Sequence, residues 1–157
     1  MRDIKTLMSL KGRTALITGA TGKIGQEMAQ TVAELGGNLI LVDLPGSNFK
    51  KIEQKILDKH NISINNIACD LEDEKSRQDL IDIVNKDPEE LNIIINNAAF
   101  VGDTNLKGWI SDFESQDLDT WRRAFEVNLT AIFHLSKGLV GKLKNSKSSS
   151  IINISSI

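Results

Sequence analysis

Cysteine is nearly missing from this 157-residue sequence, Cys69 being the only one. A single thiol can form neither an internal disulfide nor a paired-cysteine metal site. That suits a reducing cytoplasm, with Cys69 read as a small core residue. An excess of charge of one sign is lacking too. Lys and Arg total 19 against 21 Asp and Glu, a formal net charge of -2, and the basic residues are scattered, so there is no electrostatic footprint for nucleic acid. Long hydrophobic runs are also absent. The start, MRDIKTLMSLKGR, lacks the roughly 7–15 apolar residues of a signal peptide, and no stretch reaches the about 18 needed to span a bilayer. No nucleic acid, membrane or metal partner is expected. Low-complexity sequence is confined to KNSKSSS at 144–150, a solvated turn ahead of a strand-like run. What remains is the composition of one globular domain over 1–157, 40% hydrophobic and 25% charged, long enough to bury a core.

Five short apolar runs have strand character: TALIT (14–18), NLILVD (38–43), NIACD (66–70), LNIIIN (91–96) and SIINIS (150–155). Between them lie segments of helical length whose apolar residues recur every three or four positions, Ile24, Met28, Val32 and Leu35 in the first, Phe49, Ile52 and Ile56 in the second. Continuous apolarity, as in ILV and IIINNAA, predicts strands covered on both faces. Right-handed crossovers then give an α/β fold, a doubly wound parallel sheet of the Rossmann type with five strands present. The segment from 117 to 143 carries Leu118, Trp121, Phe125, Ile132, Leu135 and Leu139 on one predicted stripe, with Asn128 in its middle. A buried amide there is either a satisfied structural group or one aimed at a ligand.

The stretch TGATGKIG, 18–25, joins the first strand to the first helix and places glycines at 19, 22 and 25. Such a turn leaves no side chain where a pyrophosphate approaches, and it points free N–H groups and the positive end of a helix dipole at the phosphates. A nucleoside-triphosphate loop needs G-x-x-x-x-G-K-[ST]. Ile17 stands where its first glycine belongs and Ile24 where its hydroxyl belongs, which excludes it. Asp43 ends the second strand, 43 − 25 = 18 residues after the last glycine. A dinucleotide fold wants a carboxylate there to accept from the adenosine ribose hydroxyls, and it repels a 2′-phosphate, which favours NAD. The alternative role for Asp43 is to cap the turn before Pro45-Gly46.

Together these residues resemble one family, the short-chain dehydrogenases/reductases. TGATGKIG is similar to that family's TGxxxGxG loop, Asp43 to its NAD-selecting acid, Cys69-Asp70-Leu71 to its adenine-contacting turn, and NNAA at 96–99 to its NNAG motif, with Ala99 in place of the glycine. Asn128 in FEVNLTAIF matches its catalytic asparagine, which holds a water in a proton relay, and NISSI at 153–157 matches the strand delivering its catalytic serine, here Ser156. The resemblance implies a cofactor set of Gly19, Thr21, Gly22, Lys23, Ile24, Gly25, Asp43, Asp70, Leu71, Asn97, Ala98 and Ala99. It further implies an NAD-dependent oxidoreductase passing hydride between nicotinamide and a small-molecule secondary alcohol or carbonyl, assembled as a homo-oligomer when full length. The loop from Phe100 to Gln116 leaves the carboxyl end of a strand and is long enough to contribute to a substrate pocket. Its Phe, Gly-Trp and second Phe resemble members acting on sugar nucleotides or surface-glycan precursors.

Two departures stand out. Lys23 occupies a glycine position of the loop while Gly22 supplies a glycine one place earlier, so either Gly22 takes unusual backbone angles or the Lys23 side chain turns out of the phosphate path. The family's proton-transferring residue is the tyrosine of a Tyr-x-x-x-Lys motif, and the sequence contains no tyrosine. The expectation is a C-terminally incomplete chain, with the last strands and helices missing, that holds the cofactor half and is inactive alone. The rival is a catalytically silent dinucleotide-binding sensor or scaffold.

Overall fold

The computed structural model describes residues 3–101 and 106–155. Five parallel strands form one sheet in the order β3-β2-β1-β4-β5: β1 Thr14–Thr18, β2 Asn38–Asp43, β3 Ile64–Ala68, β4 Ile93–Asn96 and β5 Ser150–Asn153. The helices are α1 Ile4–Met8, α2 Lys23–Glu34, α3 Phe49–Leu57, α4 Glu74–Lys86, α5 Leu118–Phe125 and α6 Ala131–Asn145, with a wide π turn at Glu126–Thr130 between the last two. This is the doubly wound α/β arrangement that the alternation of apolar runs predicts.

Alternation along each strand divides the core in two. Leu16, Ile40, Val42 and Ile94 face α4 and α6, where Leu80, Ile81, Val84, Leu135 and Leu139 meet them. Ala15, Ile17, Leu39, Leu41 and Ile95 face α2 and α3 and pack on Ala29, Val32, Ala33, Ile52 and Ile56. The central strands are therefore covered on both faces and apolar at nearly every position. The two edges differ: β3 is buried only at Ile67, and every residue of β5 is exposed. The third strand begins two residues earlier than the apolar run suggests, because at this sheet edge Asn65 is exposed and the half-buried Asn66 donates from Nδ2 to Glu53 Oε2 of α3 at 2.8 Å. Helix α2 buries mainly small residues rather than the large ones its periodicity picks out. Gly25, Ala29 and Ala33 face the sheet beside Val32, while Ile24 is 61% exposed.

A larger correction concerns the stripe running through residues 118–139. Leu118, Trp121 and Phe125 are exposed, whereas Leu135 and Leu139 are fully buried. The π turn is the reason. Its wider winding rotates everything downstream by roughly a quarter turn relative to a continuous α-helix, so one apparent stripe falls on two different faces. Ala131, Leu135, Leu139 and Leu143 go inward, and Leu129, Phe133 and Val140 extend the outward face of α5.

Strand order reverses between β1 and β4. The chain runs β1 to β2 to β3 outward on one side, then returns to place β4 and β5 on the other. The crevice at the carboxyl ends of β1 and β4 is the switch point at which such sheets bind ligands.

The phase shift gives a direct test. Leu139→Ala should destabilise the chain by about 2–5 kcal/mol in urea denaturation, as a buried cavity does, and Leu118→Ala by less than about 0.5 kcal/mol. Equal losses would contradict the assigned faces.

Candidate functional site

At the switch point the loop after β1 meets the loop after β4 at very close range. Gly19 has φ +64°, and a Cβ there would sit 2.9 Å from the Cα of Ala98. This position needs glycine for both its backbone angle and its contact. The buried Thr18 hydroxyl accepts from the backbone N–H of Asn97 (3.0 Å) and of Ala98 (3.1 Å). The Asn97 side-chain amide returns two bonds, to the carbonyls of Thr18 (3.0 Å) and Gly19 (3.2 Å). One hydroxyl and one amide thus strap the two loops together. Asn96 turns the other way and donates from Nδ2 to Oδ1 of Asn153 at 2.8 Å, linking β4 to β5.

The helix that follows lies tight against this loop. A Cβ on Gly25 would fall 2.1 Å from the Gly19 carbonyl oxygen and 2.8 Å from the Ala20 Cα. Gly22 is the N-cap of α2, with φ −69° and no side-chain cap. Its backbone angles are ordinary, and Lys23 is the exposed first residue of the helix. Of the two ways to accommodate Lys23, an unusual conformation at Gly22 is therefore not the one adopted. The first turn of α2 keeps backbone donors that no side chain caps, behind a floor without Cβ atoms. This is a donor set and a cradle that fit a pyrophosphate.

Asp43 closes the far end. Its Oδ2 accepts from the Thr21 N–H (2.7 Å) and the Thr21 hydroxyl (2.8 Å). Its Oδ1 accepts from the Leu44 N–H (2.8 Å) and the Ser47 hydroxyl (3.2 Å). The carboxylate thus caps the turn, as one of its two sequence-based roles requires, and it also lines the groove. A ribose hydroxyl would take over the acceptor sites now held by the two freely rotating hydroxyls of Thr21 and Ser47. Beyond Asp43 lies the turn after β3. Asp70 accepts from the Glu72 N–H at 2.9 Å, and its own N–H donates to the Ser76 hydroxyl at 2.9 Å. Cys69 is buried under that turn, and burial pushes its thiol pKa up.

All the residues named as cofactor candidates, from Gly19 through Ala99, line one groove of about 790 Å³. Asn128 does not line it. It sits in the π turn, and its Oδ1 accepts from the Phe100 N–H at 2.8 Å, so the amide is partnered and fixed next to the groove through Phe100 and Val127. Ser156 lies outside the described residues. The groove also recruits Phe100, Val101, Glu72, Arg123 and Val127. Arg123 stacks over the Phe100 ring at 5.1 Å and donates to Glu72 Oε1 at 2.6 Å. Its place one helical turn before Val127 is the signal in the sequence that could have found it. Of the long loop, Phe100 and Val101 reach the groove and residues 102–105 lie outside the described set. Trp109 packs edge-on against Phe100, with ring centroids 5.1 Å apart, and Phe113 is exposed.

Residues 13–157 match the family described as short chain dehydrogenase. The chain belongs to that family. Among curated relatives it is 25% identical over 150 residues to a 3-oxoacyl-(acyl-carrier-protein) reductase of Aquifex aeolicus, covering 96% of this chain and 58% of the relative. It is 31% identical over 154 residues to the reductase of the same name from Rickettsia conorii, covering 96% and 56%. Among solved structures, the NADPH-dependent 3-quinuclidinone reductase of Rhodotorula rubra superposes with a TM-score of 0.82 at 25% identity, over 98% of this chain and 55% of that one. L-sorbose reductase of Gluconobacter frateurii, complexed with NADPH and L-sorbose, superposes at 0.81 with 22% identity, over 93% and 53%, a likeness of fold. The chain spans about half the length of the relatives it matches.

In this chain the Gly25 contact should not tolerate a side chain. Helix propensity alone favours Ala over Gly by about 1 kcal/mol. The clash with fixed backbone outweighs it, so Gly25→Ala should displace the loop, lower stability by about 1–3 kcal/mol and weaken NADH binding about tenfold or more, read by fluorescence titration. Undiminished binding would show that the cradle does not hold the phosphates.

Proposed function

We propose that this chain is the dinucleotide-binding half of an oxidoreductase that uses NAD to interconvert a secondary alcohol and a carbonyl. The observation that carries this reading is the convergence of the whole candidate set on one groove at the switch point, with the uncapped N-terminus of α2 at its centre. When bound, nicotinamide dinucleotide supplies a hydride acceptor or donor. The N–H groups of Lys23, Ile24 and Gly25 hold the pyrophosphate, with Gly19 and Gly22 leaving it room. Asp43 would accept from the adenosine ribose hydroxyls, Asp70 and Leu71 would meet the adenine, and Asn97, Ala98 and Ala99 would hold the ribose. Asn128, held by Phe100, fixes the π turn whose backbone orders a water in the proton relay, and Ser156 is assigned to the reacting oxygen of the substrate. With no tyrosine in the sequence, the chain binds dinucleotide without steady-state turnover of alcohols.

The structural relatives named above are NADPH enzymes. What supports NAD for this chain is Asp43, whose charge at the end of β2 opposes a 2′-phosphate. The absence of tyrosine is the one observation that favours a silent dinucleotide sensor instead. Against a sensor stands Asn128, kept in a π turn that a binding-only protein would not need. Sugar-type substrates remain a proposal resting on the aromatic loop around Phe100 and Trp109. Homo-oligomer formation rests on the outward apolar face of Leu118, Trp121, Phe125, Leu129 and Phe133. A cytoplasmic setting accords with the single buried thiol. Among the described residues no helix is long and apolar enough to cross a membrane.

Parallel NADH and NADPH titrations test the cofactor assignment. The wild-type chain should prefer NADH by about tenfold or more, and Asp43→Ala should bring the two affinities within about threefold by removing like-charge repulsion. A ratio unchanged by the substitution would remove Asp43 from the ribose site.

A further inference from the structure

Arg77 opens the buried face of α4, one turn ahead of Leu80 and Ile81 and two ahead of Val84, yet it is a charged residue only 2% exposed. A helix that needed only packing would place another aliphatic residue here, because burying a guanidinium costs more than its ion pair usually returns. Its donors are nevertheless almost fully used, and they reach three separate segments. Nη1 donates to the carbonyls of Leu71 (2.6 Å) and Glu72 (3.1 Å). Nη2 donates to Oε2 of Glu126 at 3.1 Å, and Nε to Nδ1 of His134 on α6 at 3.3 Å.

Those partners are not arbitrary. Leu71 and Glu72 line the adenosine end of the groove from the β3 side. Glu126 opens the π turn, immediately before the groove-lining Val127 and two residues before Asn128. From these anchor points the contacts close into a ring. The Glu72 carboxylate holds Arg123, Arg123 stacks on Phe100, the Phe100 N–H is held by Asn128, and Asn128 leads back through the π turn to Glu126 and Arg77. A planar fork with fixed spacing, buried where solvent cannot loosen it, sets the separation of the two walls it joins.

We infer that Arg77 is a positioning residue: its guanidinium fixes the spacing between the Leu71–Glu72 turn and the π turn, and through that spacing the aim of Asn128. The inference rests on the dinucleotide reading for its binding consequence but not for its effect on Asn128. It predicts that the adenosine half of a dinucleotide senses Arg77 and that the nicotinamide half does not.

The test uses chain 1–157 and the variants Arg77→Met and Arg77→Lys. Methionine keeps the volume without the fork, and the Glu126 carboxylate it leaves behind is 41% exposed at its side chain and so is returned to water rather than buried unpaired. Lysine keeps the charge without the fork. Both variants should raise the hydrogen-exchange rate of the Phe100 amide about tenfold, with the core amides of Leu16 and Ile94 unchanged, a selectivity that general destabilisation would not give. Both should weaken ADP-ribose about tenfold while leaving nicotinamide mononucleotide binding unaltered. Unchanged exchange at Phe100, a parallel rise at Leu16 and Ile94, unchanged ADP-ribose affinity where the wild type binds it, or wild-type behaviour of Arg77→Lys would each overturn the inference. If wild-type chain binds no ADP-ribose but Phe100 exchange responds as stated, the dinucleotide reading fails and the positioning of Asn128 by Arg77 stands.

Discussion

Everything in this structure depends on how closely two backbones approach at the ends of β1 and β4. A methyl group on Gly19 would strike Ala98, and one on Gly25 would strike the Gly19 carbonyl. The approach is held by polar bonds in a buried place. The Thr18 hydroxyl receives two N–H groups and the Asn97 amide delivers two more bonds. The strand order reverses here, and the uncapped start of α2 lines the crevice that results. Binding capacity is thus a consequence of packing. The same small residues that let α2 close on the sheet leave the phosphate path clear.

A second layer of order surrounds this first one. Among the described residues the end of the groove beside Asp70 has no comparable backbone strap; its walls come from the turn after β3 and from the π turn before α6. Buried and half-buried ions hold those walls, Arg77 with Glu126 and Arg123 with Glu72. Such pairs contribute little to net stability once desolvation is counted. Their value lies in fixed geometry, and geometry is what a binding groove and an aimed asparagine require.

Much of this could be read from the residues alone, and the reasons for success and failure are physical. The runs TALIT and NLILVD coincide with β1 and β2, because strands buried on both faces must be continuously apolar. The glycine loop, Asp43, Asp70-Leu71 and NNAA, singled out by residue type, line one groove in the structure, and at Gly19 and Gly25 the close approach of backbone is what restricts the residue type. The face of the last helices was not legible. Periodicity assumes a uniform helix, and the π turn at 126–130 breaks the phase between Phe125 and Ala131. Arg77 was equally hidden, since an arginine among charged residues on a helix looks solvated until the helix is docked and its N-terminal turn proves to be covered. The saturation of Asp43 by Thr21 and Ser47 needed coordinates too, for neither hydroxyl stands at a fixed interval that a motif would mark.

The central claim is that the crevice between the β1 and β4 loops holds a nicotinamide dinucleotide. Mapping backbone amide chemical shifts in the 1–157 chain during titration with NAD tests it most directly. The account predicts the largest shifts at Lys23, Ile24, Gly25, Asp43, Leu71 and Ala98, with the exposed face of α5 unmoved. The absence of saturable shifts at Lys23 to Gly25, or a response centred on α3 or α5 instead, would contradict it.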